Sequence, residues 1–347
     1  MKSKKLIQIL FFILFLIPIT VFSAEWAPMT SGTSNALNGV WGSSGSDVFA
    51  VGGSGTILHY DGNAWSTMTS GTTNALYGVW GSSGSDVFAV GSGGAIFHYN
   101  GSAWSPMTSG TTSDLLGIWG SSGTDVYVVK YCYPCFSVLH YDGIAWSSLS
   151  APAHAPEGIW GSSPTDVYIV GWFTTPYEGG QTFCILHYDG TQWFYYIPVG
   201  LYGCLFGIWG SSGSDVFAVG SSGNILHYNG STWSSMISVT AHYLYGVWGS
   251  SGTDVFAVGG GGTILHYNGS VWSGMSSWTA NALNGVWGSS GTDVFAVGST
   301  GEILHYNGEE PTFCSTWADV ISKYNAYVIG QSQWNDVITC YNQYVSP

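Results

Sequence analysis

Positive charge is what this sequence lacks most: it has no arginine and only five lysines, against 19 acidic residues. Lys2, Lys4 and Lys5 lie in an N-terminal segment that we expect to be removed. The remaining chain then keeps two lysines and 19 acidic residues, a formal net charge of −17. Proteins bind nucleic acids by displacing counterions from phosphates with lysine and arginine, and anionic membranes attract the same residues. The charge therefore excludes nucleic acid as a partner and argues against binding to an anionic membrane surface.

Motifs for catalysis are also missing. The sequence has no P-loop, no nucleophile elbow and no His-Glu-x-x-His segment. Without arginine it also lacks the side chain with which sialidases hold a substrate carboxylate. We therefore expect a protein that is not an enzyme and that uses no cofactor.

Only one long apolar run is present, from Leu6 to Phe22, directly after the N-terminal lysines. A basic start, an apolar run and small residues at Val21 and Ser23 are typical of a secretory signal peptide. The sequence predicts a signal peptide over 1–23, cleaved near Ser23 or Ala24, and a secreted or periplasmic bacterial protein. No second run long enough to span a bilayer follows, so we expect no membrane span after cleavage.

Glycine and aromatic residues are abundant, at 51 and 56 positions, and they follow a repeat of about 39 residues. A Trp-Gly pair occurs seven times, at Trp41, Trp80, Trp119, Trp160, Trp209, Trp248 and Trp287. A Ser-Asp or Thr-Asp pair and then a His-Tyr pair follow each one. Each unit contains four short strands separated by glycine-rich, Asp-Gly or Asn-Gly turns, which is the size of a propeller blade. The sequence predicts an all-β, seven-bladed β-propeller over residues 24–308, with four strands per blade.

The ends of the repeat indicate how the propeller closes. Six of the seven units have a second Trp six residues after their His, but the last unit has Pro311 there. Trp26 precedes Trp41 by the 15 residues that separate Trp65 from Trp80. Residues 25–33 are therefore predicted to supply the outer strand of the last blade, which would leave the ring without open edges.

These segments resemble a known family. The His-Tyr-Asp-Gly-x-x-Trp and Trp-Gly-Ser-Ser-Gly-Ser-Asp-Val-Phe-Ala-Val-Gly motifs, seen at His59 to Trp65 and Trp41 to Gly52, resemble a bacterial family of exported propeller repeats. That family is related to the Asp-box (BNR) repeats of sialidases and to photosystem assembly-factor-like propellers. The resemblance covers residues 25–308 and implies an exported, mostly non-catalytic propeller.

The repeated polar residues favour a structural role. A His, an Asp, a Ser or Thr and a Trp recur in every blade, so metal ligation would require residues of different blades to converge on one point. Paired carboxylates for glycoside hydrolysis would have to lie in one cleft, whereas equivalent positions are spread around a ring. We expect no metal site, and instead a hydrogen-bonded lock within each blade.

Blades 3 and 4 depart from the repeat. The distance from Asp to His is 12 residues in five blades, but 15 from Asp125 to His140 and 21 from Asp166 to His187. The extra residues fall in the loop between the second and third strands and are rich in aromatics, which suggests recognition of a partner; packing of these loops on each other is the alternative. The connection from the fourth strand of blade 4 to blade 5 is one residue longer than in the repeat and is expected to open on the same face. The candidate binding residues of this face are Tyr131, Tyr133, Phe136, Trp172, Phe173, Tyr177, Glu178, Tyr195, Tyr196 and Tyr202.

Six cysteines in an exported chain suggest disulfides. Their positions favour the pairs Cys132–Cys135, Cys184–Cys204 and Cys314–Cys340, although six cysteines allow 15 pairings. A Cys-x-x-Cys redox site and a four-cysteine zinc site are alternatives for the blade cysteines.

The C-terminal segment, 309–347, contains a repeat of its own, in which Trp317 to Val328 matches Trp334 to Val345. Its apolar residues have helical spacing, so we predict a helical hairpin that packs on the propeller, pairs with a second copy or binds a partner.

Three functions follow from these patterns, and the first is favoured. It is a non-catalytic scaffold that binds an extracellular or periplasmic protein or glycan through the aromatic loops of blades 3 and 4. The second is a lectin-like carbohydrate binder, and the third a glycan hydrolase or lyase. The sequence does not specify an oligomeric state.

Overall fold

A computed structural model describes residues 26–131, 137–150, 155–174, 181–196 and 203–308, which belong to one compact unit, Trp26–Gly308. It consists of seven antiparallel sheets of four strands each, so the predicted seven-bladed propeller is confirmed. The predicted signal peptide, over 1–23, and the predicted helical hairpin, over 309–347, lie outside the described residues and stay predictions. Within the described ranges, no helix has the length and apolar character needed to cross a membrane.

The strands follow one another around the ring, after a short first strand β1 (Ala27–Pro28). Blades 1 to 3 contain β2 (Leu37–Ser44), β3 (Asp47–Gly52), β4 (Ile57–Tyr60) and β5 (Trp65–Met68); β6 (Leu76–Ser83), β7 (Asp86–Gly91), β8 (Ile96–Tyr99) and β9 (Trp104–Met107); and β10 (Leu115–Ser122), β11 (Asp125–Lys130), β12 (Ser137–Tyr141) and β13 (Trp146–Ser150).

Blades 4 to 7 repeat this order. They contain β14 (Ala155–Ser163), β15 (Asp166–Thr174), β16 (Gln181–Tyr188) and β17 (Trp193–Tyr196); β18 (Leu205–Ser212), β19 (Asp215–Gly220), β20 (Ile225–Tyr228) and β21 (Trp233–Ser235); β22 (Leu244–Ser251), β23 (Asp254–Gly259), β24 (Ile264–Tyr267) and β25 (Trp272–Met275); and β26 (Leu283–Ser290), β27 (Asp293–Gly298) and β28 (Ile303–Tyr306). Single 3₁₀ turns follow the second strands of five blades, at Gly53–Gly55, Ser92–Gly94, Ser221–Gly223, Gly260–Gly262 and Ser299–Gly301.

The ring closes as the sequence predicts. Strand β1 pairs antiparallel with β28, so that Ala27 lies opposite His305 and Pro28 opposite Leu304. The Met29 amide extends the pairing by donating to the Ile303 carbonyl at 2.8 Å. The N-terminal strand thereby becomes the outermost strand of blade 7, and the first and last segments of the propeller share one sheet.

The core lies between the blades. In β3, Val48 and Ala50 pack toward blade 7, while Phe49 and Val51 pack toward blade 2. Both faces of the second strand are therefore buried, which is why this segment is an unbroken apolar run rather than an alternating one. The same arrangement recurs around the ring, most clearly in the five blades that keep the Val-Phe-Ala-Val sequence.

The two faces of the ring carry different turns. Leu37, at the start of β2, lies opposite Gly52, at the end of β3, so the turns after second strands share a face with the starts of first strands. We call this the upper face. Ser44 and Asp47 pair at the other end, where the third-to-fourth strand turn also lies; this is the lower face. In blades 3 and 4 the second and third strands end at the upper face with the pairs Lys130–Ser137 and Thr174–Gln181. The insertion of blade 4, predicted as a loop, is in part strand, because β15 continues to Thr174 and β16 begins at Gln181.

Candidate functional site

The repeated Ser, Asp and His residues form a chain of hydrogen bonds in every blade. In blade 1, Ser43 Oγ donates to Asp47 Oδ2 at 2.5 Å, and Asp47 Oδ1 lies 2.7 Å from His59 Nε2. The His ring packs on Phe49, with centroids 4.6 Å apart, and Trp41 lies on the far side of that Phe, at 6.4 Å. The other six blades repeat the His–Asp contact at 2.6 or 2.7 Å.

The order of these groups is wrong for a serine nucleophile activated by His. A serine nucleophile needs a base, normally His, within hydrogen-bond reach of its Oγ. Here the carboxylate lies between the Ser and the His, so Ser43 donates to Asp47 and the imidazole does not contact the hydroxyl. Nor does the structure contain, within its described residues, a group of three or more His, Cys, Asp or Glu side chains able to hold a metal ion. The chains fasten the first, second and third strands of each blade together.

Four of the predicted binding residues have described side chains. Tyr131 and Tyr195 are exposed, at 43% and 50%. Trp172 is half-buried beside Gly171 and Cys184. Tyr196 packs on Trp233, and its hydroxyl donates to the Trp233 carbonyl at 3.1 Å, so it is a structural contact with blade 5. Phe173 lies in β15 with its side chain outside the description, and the remaining candidates lie outside the described residues: Tyr133, Phe136, Tyr177, Glu178 and Tyr202.

The predicted Cys184–Cys204 disulfide is wrong for this structure, in which both cysteines are free and buried. The alternation of side chains along β16 explains why. Cys184 packs toward blade 3, whereas the next residue, Ile185, packs on Leu205 of blade 5, beside Cys204. The sheet of blade 4 therefore lies between the two sulfurs. Burial raises the pKa of the Cys184 thiol to about 12. The predicted pairs Cys132–Cys135 and Cys314–Cys340 lie outside the described residues.

A groove of about 430 Å³ lies between blades 3 and 4. At other blade boundaries, side chains fill the equivalent space. Phe88 of blade 2, for example, packs between Tyr141 and Trp146 of blade 3, and the Met68 sulfur of blade 1 accepts the indole N–H of Trp104 at 3.4 Å. Blade 4 has Tyr168 and Tyr196 at the Phe and Met positions, and both pack on Trp233 of blade 5, so that boundary is filled. At the boundary between blades 3 and 4, three repeat positions differ: Tyr127 replaces the Phe, Leu149 replaces the Met and Pro164 replaces a Gly. All three line the groove.

The groove combines apolar walls with a polar rim. Val138, Leu149 and Trp193 form its walls. Thr165, Thr191 and Gln192 lie exposed at its edge, in turns of the lower face. On strand β17, Tyr195 lies on the same side as Trp193 and two residues nearer the upper face, so the predicted candidate Tyr195 continues the aromatic surface of the groove.

Polar groups at the inner end of the groove are held in place. His140 Nε2 lies 2.7 Å from Asp125 Oδ1, and the Asp125 carboxylate also interacts with the Tyr127 phenol. Burial, together with that carboxylate, raises the pKa of Tyr127, so its phenol stays protonated. Sequence reasoning missed this site because its signal is three single substitutions rather than an insertion. Aligning the seven repeats and asking which positions face one boundary would have found it.

The central channel is a second candidate site. The first strands of all seven blades line it, and their Gly residues bring neighbouring blades close: a Cβ at Gly39 would lie 3.0 Å from the Tyr77 carbonyl oxygen. The volume of this open pocket is about 200 Å³. Glu157 supplies the single carboxylate of this lining, and burial raises its pKa to about 7.

Replacing Glu157 by Gln is expected to stabilise the protein at pH 8 but not at pH 5. The carboxyl has a pKa near 4.5 when unfolded and about 7 when folded, so the folded state binds the proton more tightly. The cost of ionising the buried group grows as pH rises from about 4.5 and is complete above about 7. With a discount for partial exposure, we expect a gain of about 1–2 kcal/mol in the free energy of unfolding at pH 8.

Urea unfolding at the two pH values measures this difference. Asp142→Asn is the matched control, since it also turns a carboxylate into an amide. Backbone N–H groups of Ala145 and Ile144 lower the pKa of Asp142, and Asn100 accepts the same two bonds in blade 2. This control should not stabilise the protein at pH 8. Equal stability of E157Q and wild type at pH 8 would contradict the prediction.

Comparisons with known proteins support the fold. No protein-family model and no curated protein matches the sequence. Among solved structures, "YCF48 bound to D1 peptide" is 15% identical with a TM-score of 0.65, covering 84% of this chain and 99% of that one. YCF48 from Cyanidioschyzon merolae is 14% identical with a TM-score of 0.65, covering 82% and 99%. The WD40 β-propeller domain of Doa1 is 13% identical with a TM-score of 0.68, covering 83% and 98%.

These similarities bear on the resemblance found in the sequence. YCF48 is a photosystem assembly propeller, so the structures support that part of the resemblance at the level of fold. No family match supports the relation to Asp-box repeats. At identities of 15% or less the similarity extends to the fold alone, and the chain is a seven-bladed β-propeller similar in architecture to YCF48 and WD40 propellers.

Proposed function

We propose that this protein is a non-catalytic scaffold that acts after export and binds a segment of a partner protein in the groove between blades 3 and 4. The observation that carries the proposal is the groove at one blade boundary, which is lined by three departures from the repeat, Tyr127, Leu149 and Pro164. A repeat specifies the scaffold, so departures that converge on one cleft are the positions where a binding function is expected.

The composition of the groove favours a peptide. Protein interfaces are built around apolar and aromatic anchors with a polar rim, and the groove has this arrangement, with Leu149 and Trp193 inside and Gln192 at the edge. One propeller of this fold, YCF48, has been solved bound to a peptide. The strongly acidic composition of the chain favours a basic partner. The aromatic insertion loops predicted for the upper face would extend recognition beyond the groove.

Restoring the repeat residues should weaken peptide binding. In the double variant Tyr127→Phe/Leu149→Met, the Met sulfur is expected to accept the Trp193 indole N–H as Met68 accepts that of Trp104. The Tyr127 hydroxyl is lost as well, so two polar groups of the groove are removed from recognition at nearly constant side-chain volume. Peptides are selected by display against the wild-type protein, and their dissociation constants are compared by calorimetry. We expect binding to the double variant to be weaker by at least tenfold, with unfolding midpoints equal or higher.

Met68→Leu is the matched control, because it makes the same exchange in reverse at the boundary between blades 1 and 2. It should leave the selected peptides bound as tightly as by wild type. Equal binding by the double variant would overturn the assignment of the groove. A glycan array whose signal is lost in the double variant, with no peptide selected, would favour the lectin-like alternative.

A further inference from the structure

We propose that the upper mouth of the central channel binds one alkylammonium group, such as the end of a lysine side chain, with Glu157 as its counter-charge. The inference goes beyond the proposed function, because the channel is lined by the first strands of all seven blades and the groove lies between two of them. Either site could exist without the other.

The position of Glu157 in the repeat singles it out. It precedes the Gly of the first strand, and the equivalent residues are Asn38, Tyr77, Leu116, Phe206, Tyr245 and Asn284. Both asparagines are committed to blade contacts: Asn38 donates to the Leu76 carbonyl and Asn284 to the Leu37 carbonyl, each at 2.8 Å. Glu157 is thus the one charged residue at this level of the ring.

The carboxylate has no partner of opposite charge. Among the described residues it makes neither a salt bridge nor a hydrogen bond, and the one described lysine, Lys130, makes no salt bridge. Its neighbours are apolar or aromatic, with Leu116 on one side and Phe206 on the other. A carboxylate that is removed from water without a compensating group is destabilising. A bound cation would offset the solvation free energy that Glu157 loses on burial.

The surroundings favour an ammonium group on an alkyl chain. A metal ion needs several ligands, and the residues that line the channel include no second carboxylate, no His and no Cys. The described part of the chain also contains no group of three or more His, Cys, Asp or Glu side chains that could hold a metal. Burial and the Glu157 carboxylate raise the pKa of the Cys204 thiol, so it stays neutral. Aromatic rings attract ammonium groups, and Tyr77 and Phe206 line the channel, with Tyr245 5.5 Å from Phe206. A volume of about 200 Å³ admits one side chain.

Protonated n-butylamine is the probe, with n-butanol as its neutral equivalent, and binding is measured by saturation-transfer NMR and titration of the intact protein. We expect n-butylamine to bind wild type at pH 8 and to bind Glu157→Gln at least tenfold more weakly. Binding to wild type should weaken at least fivefold at pH 5, where the carboxyl takes up a proton, while Cys204 stays protonated throughout. n-Butanol should not distinguish the two proteins.

Glu157→Leu is the second variant, because blade 3 already carries Leu116 at this position and the fold accepts it. It should lose amine binding while keeping the wild-type tryptophan fluorescence. Equal n-butylamine binding by wild type and both variants, or binding unchanged between pH 5 and pH 8, would overturn the proposal. The groove variant Tyr127→Phe/Leu149→Met should bind n-butylamine like wild type, so failure of one proposal is distinguishable from failure of the other.

Discussion

Trp26→Ala should lower the free energy of unfolding by about 3–5 kcal/mol, the usual cost of truncating a large buried aromatic side chain. Trp26 is 1% exposed although it stands just before a two-residue strand. Its ring meets Phe256 of blade 6 edge-on at 6.1 Å and lies 5.6 Å from Tyr306 of blade 7. The same side chain thus holds the closing strand to its own blade and to the neighbouring blade, so its loss should also loosen β1.

Urea unfolding followed by circular dichroism measures the loss, and hydrogen exchange in β28 measures the release of β1. Faster exchange should appear at amides opposite Ala27 and Pro28. Trp26→Phe should cost less than Trp26→Ala, because the indole N–H of Trp26 has no acceptor among the described residues and packing alone is lost.

Trp278→Ala is the matched control, since that side chain is 63% exposed. Trp278 has a left-handed backbone, with φ at 56°, and blades 1, 2 and 7 have glycine at the equivalent positions. Because the side chain is exposed, replacing it by Ala should change the free energy of unfolding by less than about 0.5 kcal/mol. Similar costs for Trp26→Ala and Trp278→Ala would mean that β1 does not close the ring.

The ring of blades could be predicted because the same sequence motifs occur seven times. A period of about 39 residues defines the blades, and the position of Trp26 relative to Trp41 identifies the segment that closes them. Where one repeat unit departs from the pattern, the other six units still define the strands of its blade. The same redundancy predicted the lock, in which Asp47 meets His59 and Ser43.

Features that occur once were harder to predict. The groove is lined by Tyr127, Leu149 and Pro164, which are single changes at separate positions of the repeat. Their effect appears only when the blade boundary is known, since Tyr127 and Leu149 belong to one blade and Trp193 to the next. The disulfide pairing failed for a related reason: a shift of one residue along a strand moves a side chain to the other face, and Cys184 faces away from Cys204.

Gly81→Ala should destabilise the protein by about 2–3 kcal/mol, as overpacking of a tight core does. Gly81 lies in β6, and its Cβ would lie 2.6 Å from Cη2 of Trp41, in the first strand of the preceding blade. The added carbon would also lie 2.8 Å from the Asp86 carbonyl oxygen, which belongs to the main chain of its own sheet. The indole must therefore move, and it packs on Phe49, which in turn supports His59.

Gly274→Ala is the matched control, because no atom lies within 4 Å of the Cβ it would add. It should leave the urea midpoint within error of wild type, while Gly81→Ala lowers it and changes the fluorescence of the protein through Trp41. If both variants unfold at the wild-type midpoint, the contact between Gly81 and Trp41 is not tight enough to exclude a methyl group, and the prediction is wrong. If Gly81→Ala alone is destabilised, then the glycine in every Trp-Gly pair is explained by the approach of a neighbouring tryptophan, and the seven-fold repeat of that pair records a contact made seven times around the ring.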